Sequence, residues 1–170
     1  MCLYTKSKTP KVAKHDIVCY KIVRMFYNEI NHAEPFRSMF YNHRYSVGTE
    51  YSAPGILNTE KQDYLVWRTG RFIYEKMYRV ERGFHSFSRY EKIGEACTGV
   101  YDKEHEEFAL KCIIPEGSLY VEGIYGDLCS ERLKIVGWQQ IAIINSPDSW
   151  HDKNPEISET NYDIAIKSYS

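Results

Sequence analysis

Phe108–Ile114 reads FALKCII, and Pro115-Glu116-Gly117 follows it directly. An apolar, partly β-branched run closed by a turn-forming Pro and Gly predicts a buried strand with an abrupt end. Toward the C-terminus, Leu119–Ile124 and Glu131–Val136 predict two more strands separated by Gly126-Asp127, and Gln139–Ile144 continues the sheet. Toward the N-terminus, Asp16–Val23 (DIVCYKIV) has no Gly or Pro and predicts another buried strand. Tyr64–Trp67 predicts a short strand stopped by Gly70. Phe72–Val80 fits two periods: Ile73, Met77 and Val80 suit a helix, whereas Phe72, Tyr74 and Tyr78 suit a strand. Ser88, with Glu91 three residues on, has the form of a capping box and predicts a short helix from Arg89 to about Ala96. Asn28–Tyr51 fits no single period, and Ala53-Pro54-Gly55 marks a turn. The expected class is α+β: one domain over residues 1–170, with an antiparallel or mixed sheet and a few short helices. Residues 1–15 form a polar lead-in and residues 146–161 a surface excursion, with Tyr162, Ile164 and Ile166 alternating as a last edge strand.

Composition narrows the function classes. The chain has 170 residues, 43% hydrophobic and 26% charged, which excludes intrinsic disorder and collagen-like repeats. Lys+Arg 22 against Asp+Glu 23 gives a net charge of -1, so duplex nucleic acid is not an expected partner. Aromatic content is high: Tyr 15, Phe 7 and Trp 3. Lys6, Lys8, Lys11 and Lys14 precede no apolar stretch of the sort a secretory signal needs. The purest apolar run, Ile141–Ile144, is far short of a membrane span, so no membrane partner is expected. Cys2, Cys19, Cys97, Cys112 and Cys129 are odd in number and widely spaced, which reads as reduced cytoplasmic thiols. Neither C-x-x-C nor H-x-x-x-H occurs, and no metal or cofactor is expected. Phosphate-loop, dinucleotide-fold and hydrolase-elbow motifs are missing too.

The strongest local signal interleaves basic and aromatic residues. Between Trp67 and Lys92 lie Arg68, Arg71, Lys76, Arg79, Arg82, Arg89 and Lys92, with Trp67, Phe72, Tyr74, Tyr78, Phe84, Phe87 and Tyr90 among them. The stretch Phe36–Tyr45 repeats the pairing with Arg37 and Arg44. Guanidinium forks suit phosphate oxygens, and flat rings stack on nucleobases. The same alternation also describes strands with one face in the core and arginine stems lying over the other. Gly83-Phe84-His85-Ser86 adds two hydrogen-bonding side chains beside a turn, with His85 suited to general-base or donor work. Removal of Met1 would give Cys2 the amine and thiol of an N-terminal nucleophile, although no strand is predicted to hold it. Asp102-Lys103-Glu104-His105-Glu106-Glu107 reads as a solvated loop.

Three stretches, Met1-Cys2-Leu3 with its Lys-rich continuation, Gly83-Phe84-His85-Ser86 and Lys111-Cys112-Ile113-Ile114-Pro115-Glu116-Gly117, resemble a loose group of short accessory proteins of gut bacteria and their phages and mobile elements. The resemblance covers the lead-in, the first strand and roughly Gly83 to Val136. It implies no established activity, but a setting in the bacterial host cytoplasm in which small proteins act against host defences. A second likeness is to the ADP-ribosyltransferase fold, in which Arg24, Ser86 and Glu131 fall in the family's catalytic order. Cys129 stands where that family has an acidic or Gln partner, two residues before the catalytic Glu.

Three functions follow. The first is a binding protein that sequesters a nucleotide-derived small molecule, such as an immune second messenger held by a phage sponge. Its contacts would be Arg24, Arg37, Arg44, Arg68, Arg71, Arg82, Phe84, His85, Ser86 and Tyr90. The second is a transferase-like enzyme acting on NAD or a related nucleotide through Arg24, Ser86 and Glu131. The third is a protein-binding inhibitor, since Tyr and Arg are enriched in interface hot spots. Homo-oligomerisation stays open in all three.

Overall fold

A computed structural model describes residues 3–7, 9–39, 43–53, 59–80, 82–96, 105–141 and 150–156. Its strands are Leu3–Thr5 (β1), Lys11–Val12 (β2), Ile17–Phe26 (β3), Phe36–Ser38 (β4), Arg44–Tyr45 (β5), Glu50–Ser52 (β6), Thr59–Arg68 (β7), Arg71–Val80 (β8), Phe84–Phe87 (β9), His105–Ile114 (β10), Leu119–Glu122 (β11), Asp127–Ser130 (β12) and Arg132–Gln140 (β13). The expected α+β class is therefore corrected. Among the described residues the fold is nearly all β, with one six-residue α-helix, Glu91–Ala96 (α1), and a 3-10 turn at Tyr27–Glu29. The pairings that join these strands are antiparallel.

The physical reason is plainest at Phe72–Val80. Its helical spacing loses to cross-strand pairing, because Thr69 and Gly70, with φ of 46° and 83°, form a two-residue turn of the type that suits hairpin twist. The turn sets Trp67 opposite Phe72 and Leu65 opposite Tyr74. Rings and branched chains gain contact across such pairs that an isolated helix would not give them. Tyr64–Trp67 accordingly extends to the whole of β7, and α1 is all that forms of the capped helix.

Ten strands form one sheet that bends back on itself. β3 pairs with β10, β10 with β13, and β12 with β9, which returns to β3 at Tyr20↔Phe87. β12 and β13 are continuous apart from Glu131, so this run of neighbours closes into a small barrel. Odd-numbered residues of β3 point inward, and even-numbered ones face out. Phe108, Leu110, Cys112, Leu133, Ile135 and Trp138 fill the interior with Cys19, Val23 and Met25. Trp138 packs its ring 5.5 Å from Phe108 and donates its indole N–H to the Lys153 carbonyl at 2.7 Å. Gly137 allows this closure, since a Cβ there would lie 3.1 Å from the His151 carbonyl oxygen.

β4 and β5 extend from the β3 edge beyond the point where β9 leaves it. The smaller sheet, in the order β1-β8-β7, covers the barrel through Leu3 and Val80 against Val121 and Cys129. The lead-in thus contributes β1 and β2. Of the stretch 146–161, residues 150–156 lie against the sheet, where Trp150 joins Tyr20 and Tyr90 and Pro155 is buried. The expected edge strand at Tyr162, Ile164 and Ile166, and the residues Cys2, Cys97 and Asp102–Glu104, lie outside the described residues. No helix among the described residues is long and apolar enough to cross a membrane.

Candidate functional site

Strand register assembles three of the expected ligand residues. Arg24 on β3 is opposite Arg37 on β4, and Arg37 is opposite Arg44 on β5, so three guanidinium groups stand in a row on the outer face. Like charges directly opposite on neighbouring strands repel, which makes this row costly unless something compensates it. Glu29, carried by the 3-10 turn after β3, compensates two of the three. It accepts Arg37 Nε at 2.8 Å and Arg44 Nη2 at 2.9 Å, and also bonds Arg37 Nη2. Burial pushes the Glu29 carboxyl up, but the hydrogen bonds from Arg44 and Arg37 outweigh it and hold the group below its ordinary value.

Arg24 is left over. Among the described residues it forms no ion pair, and its Nε is buried without a hydrogen-bond partner. Its guanidinium lies 5.3 Å from the Phe26 ring centroid, which Arg37 also approaches at 4.8 Å, and His105 packs on the same ring at 5.4 Å. Glu107 stands opposite Arg24 in the β10 register and is buried. Glu29 sets one negative charge against three arginines, so the row keeps a positive excess centred on Arg24. Nearer the middle of β3 on the same face, Tyr20, Tyr90 and Trp150 form a ring cluster, with Tyr90 and Trp150 centroids 5.6 Å apart. The Tyr90 hydroxyl donates to Gln139 Oε1 at 2.8 Å.

The remaining expected contacts do not join this row. Arg68 and Arg71 face each other at the exposed tip of the β7–β8 arm, where Arg68 Nε donates to Glu75 at 3.0 Å. Arg82 is exposed at the β8–β9 turn, and its carbonyl accepts the Cys129 S–H. Phe84 and Ser86 point into the barrel, where Ser86 Oγ is buried without a partner. His85 faces the other way, opposite Cys129, and burial together with Lys21 holds its imidazole down to about 4. The transferase set does not assemble either. Arg24 and Ser86 lie on opposite faces, and Glu131 accepts the Leu119 N–H at 2.9 Å at the joint between β12 and β13.

Two features were not among the expected contacts. Glu29, which organises the row, gave no sequence signal beyond its position after the first strand. Lys21 did carry a signal: it interrupts an apolar strand at an inward-facing position. Its ammonium is buried in the barrel, donates to the His85 carbonyl at 2.7 Å and lies 5.5 Å from the Tyr45 ring. Burial lowers its pKa against the opposing pull of Cys112, Cys129 and Cys19. The Cys19 thiol, directly opposite Cys112, is held down by a hydrogen bond from that neighbour, while burial pushes Cys112 up and Cys129 up to about 12.

A groove of about 370 Å³ lies where the N-terminal segment and β11 meet Arg68 of the arm, lined by Thr5, Lys6, Lys11, Arg68 and Glu122 among others. Each of its cations is engaged: Lys11 with Glu122 at 2.7 Å, and Arg68 and Lys6 with Glu75 at 3.0 and 3.7 Å. The groove therefore offers an anion less than the arginine row does. No group of three His, Cys, Asp or Glu side chains comes together as a metal cluster among the described residues. Comparison with protein-family models, curated proteins and solved structures finds no match.

Proposed function

We propose that the chain is a binding protein that sequesters an anionic, nucleotide-type small molecule at the arginine row, with Arg24 as the principal contact and no turnover. One observation carries the reading: in a row of three arginines compensated chiefly by Glu29, Arg24 keeps a buried Nε with no partner. Leaving a buried donor unmade costs about 1–3 kcal/mol, and such a cost is expected where a ligand completes the bond. A phosphate oxygen supplies both the acceptor and the missing negative charge. The Phe26 ring, packed with His105, borders the guanidinium and gives the site an aromatic edge. Sequestration needs no general base or nucleophile, which accords with the dispersal of Arg24, Ser86 and Glu131. Within the accessory-protein setting that the sequence resembles, the ligand class would be an immune second messenger.

The test is a thermal-shift and calorimetric screen against mononucleotides, cyclic mono- and dinucleotides and NAD, with inorganic phosphate as the control. A ligand at a hundredfold excess over its dissociation constant stabilises the fold by about 2.7 kcal/mol. Heat release should return that ligand chemically intact, and Arg24→Met should weaken its binding about 10- to 100-fold, as expected for lost charge-assisted bonds. Absence of binding across the panel, unchanged affinity in Arg24→Met, or recovery of an altered ligand would each overturn the reading.

A further inference from the structure

The β7–β8 arm carries a feature unrelated to the arginine row. β1 supports β8 only at Tyr78–Val80, and the stretch from Arg71 to Met77 runs on with β7 as its one paired neighbour among the described residues. At ~3.3 Å per residue, that overhang is about 20 Å long. At the base, Val80 and Leu3 share a face that is buried on the barrel. Farther out, the same face carries two successive cross-strand pairs, Leu65 with Tyr74 and Trp67 with Phe72. All four are exposed: 52%, 76%, 58% and 63% of their surfaces respectively. Trp67 and Phe72 meet edge-on at 4.8 Å, so the patch is already ordered rather than a set of separate chains.

We infer that this stripe is the contact through which two copies of the chain pair face to face about a two-fold axis. Taking about 200 Å² for a whole aromatic side chain, the three rings alone leave on the order of 400 Å² of apolar surface open. That is the size of a functional patch, and it forms about half of the ~800 Å² per partner of a standard stable interface. The stripe is self-complementary. An antiparallel two-fold places Leu65 and Tyr74 of one copy against Trp67 and Phe72 of the other, smaller against larger in both directions. No charge is trapped: the next rung inward pairs Asp63 with Lys76, opposite charges on the same face, and the rung beyond Trp67 is the Thr69-Gly70 turn. Gly70 leaves open space where it would meet the Asp63–Lys76 rung of the second copy.

Sedimentation velocity and light scattering of the full chain from about 1 to 100 μM provide the test. A dimer of twice 20.0 kDa is expected, with Phe72→Lys and Tyr74→Lys each weakening association at least about 30-fold, as for central hot-spot positions. Acrylamide quenching of tryptophan emission, read against a Trp67→Phe variant, gives a second readout on the unaltered surface, and protection of Trp67 should grow with concentration. A monomer at 100 μM, a dimer that survives both lysine substitutions, or concentration-independent quenching of Trp67 would overturn the inference. Association with a different protein while the chain alone stays monomeric would overturn it too.

Discussion

Replacing Arg24 with Met should make the unliganded protein more stable while costing it its ligand. Arg24→Met removes one like-charge opposition in the row, worth ~0.2–1 kcal/mol. It also removes the buried unpartnered Nε, an expense of about 1–3 kcal/mol. Against this stands the lost contact of the guanidinium with the Phe26 ring, ~0.5–1 kcal/mol, part of which the methionine stem restores by packing on the same face. The balance favours the variant by about 1 kcal/mol, which for a chain of this length raises the melting temperature by roughly 2–4 °C. Urea unfolding followed by tryptophan fluorescence measures it, with an unchanged m-value showing that the same surface is exposed. A loss of more than about 1 kcal/mol at unchanged m would show that Arg24 braces β3 against β4 and β10, and the case for an anion site would fall with it.

Other outcomes follow from the buried titratable groups, the arginine row and the arm's turn. His85 titrates at about 4 in the folded state against an ordinary 6.5. The unfolded chain therefore binds the extra proton first, and stability should fall as pH drops from 6.5 to 4 by at most about 3 kcal/mol. His43, also held down by burial, acts in the same direction. His85→Gln should flatten that acid limb in pH-dependent urea titrations, and an unchanged limb would count against the burial argument. Lys21→Met should stabilise the barrel at neutral pH by about 1–2 kcal/mol, because among the described residues the ammonium has a carbonyl but no carboxylate partner. Burial lowers the folded pKa from 10.5, so the unfolded state holds the proton longer and the advantage of the variant should shrink as pH rises toward 10.5. Equal melting curves at pH 7 and 10 would contradict this. Glu29→Gln should destabilise by about 1–3 kcal/mol in urea unfolding, since it leaves Arg37 and Arg44 facing each other without their shared carboxylate. Thr69→Asn should add about 1 kcal/mol in the same assay, since Thr69 holds a positive φ that a β-branched residue tolerates poorly and Asn tolerates well.

Strands with a continuous apolar or alternating pattern were legible in the sequence: FALKCII and DIVCYKIV lie side by side in the barrel as β10 and β3. Phe72–Val80 was not, because its apolar residues satisfy both periods and the deciding vote came from a turn, Thr69-Gly70, whose first residue is not one of the usual hairpin formers. Asn28–Tyr51 was opaque for a different reason: β4, β5 and β6 are only two or three residues long and take their conformation from the strands they join. The arginines were visible as a composition, but register decided which of them meet. Arg24, Arg37 and Arg44 are scattered in sequence and adjacent across strands, whereas Arg68, Arg71 and Arg82 sit within one basic stretch and end on the arm and its turn.

The arm also has a consequence for the order in which the chain acquires its shape. Its hairpin joins neighbours in sequence through a two-residue turn, and such local pairing completes in ~1–10 μs. The barrel has to wait for β3, at Ile17–Phe26, to find β10, at His105–Ile114, a pairing between distant parts of the chain that is correspondingly slow to nucleate. Trp67 and Phe72 would then be on display during synthesis before there is any barrel to carry them, so the earliest formed part of the molecule is also its stickiest.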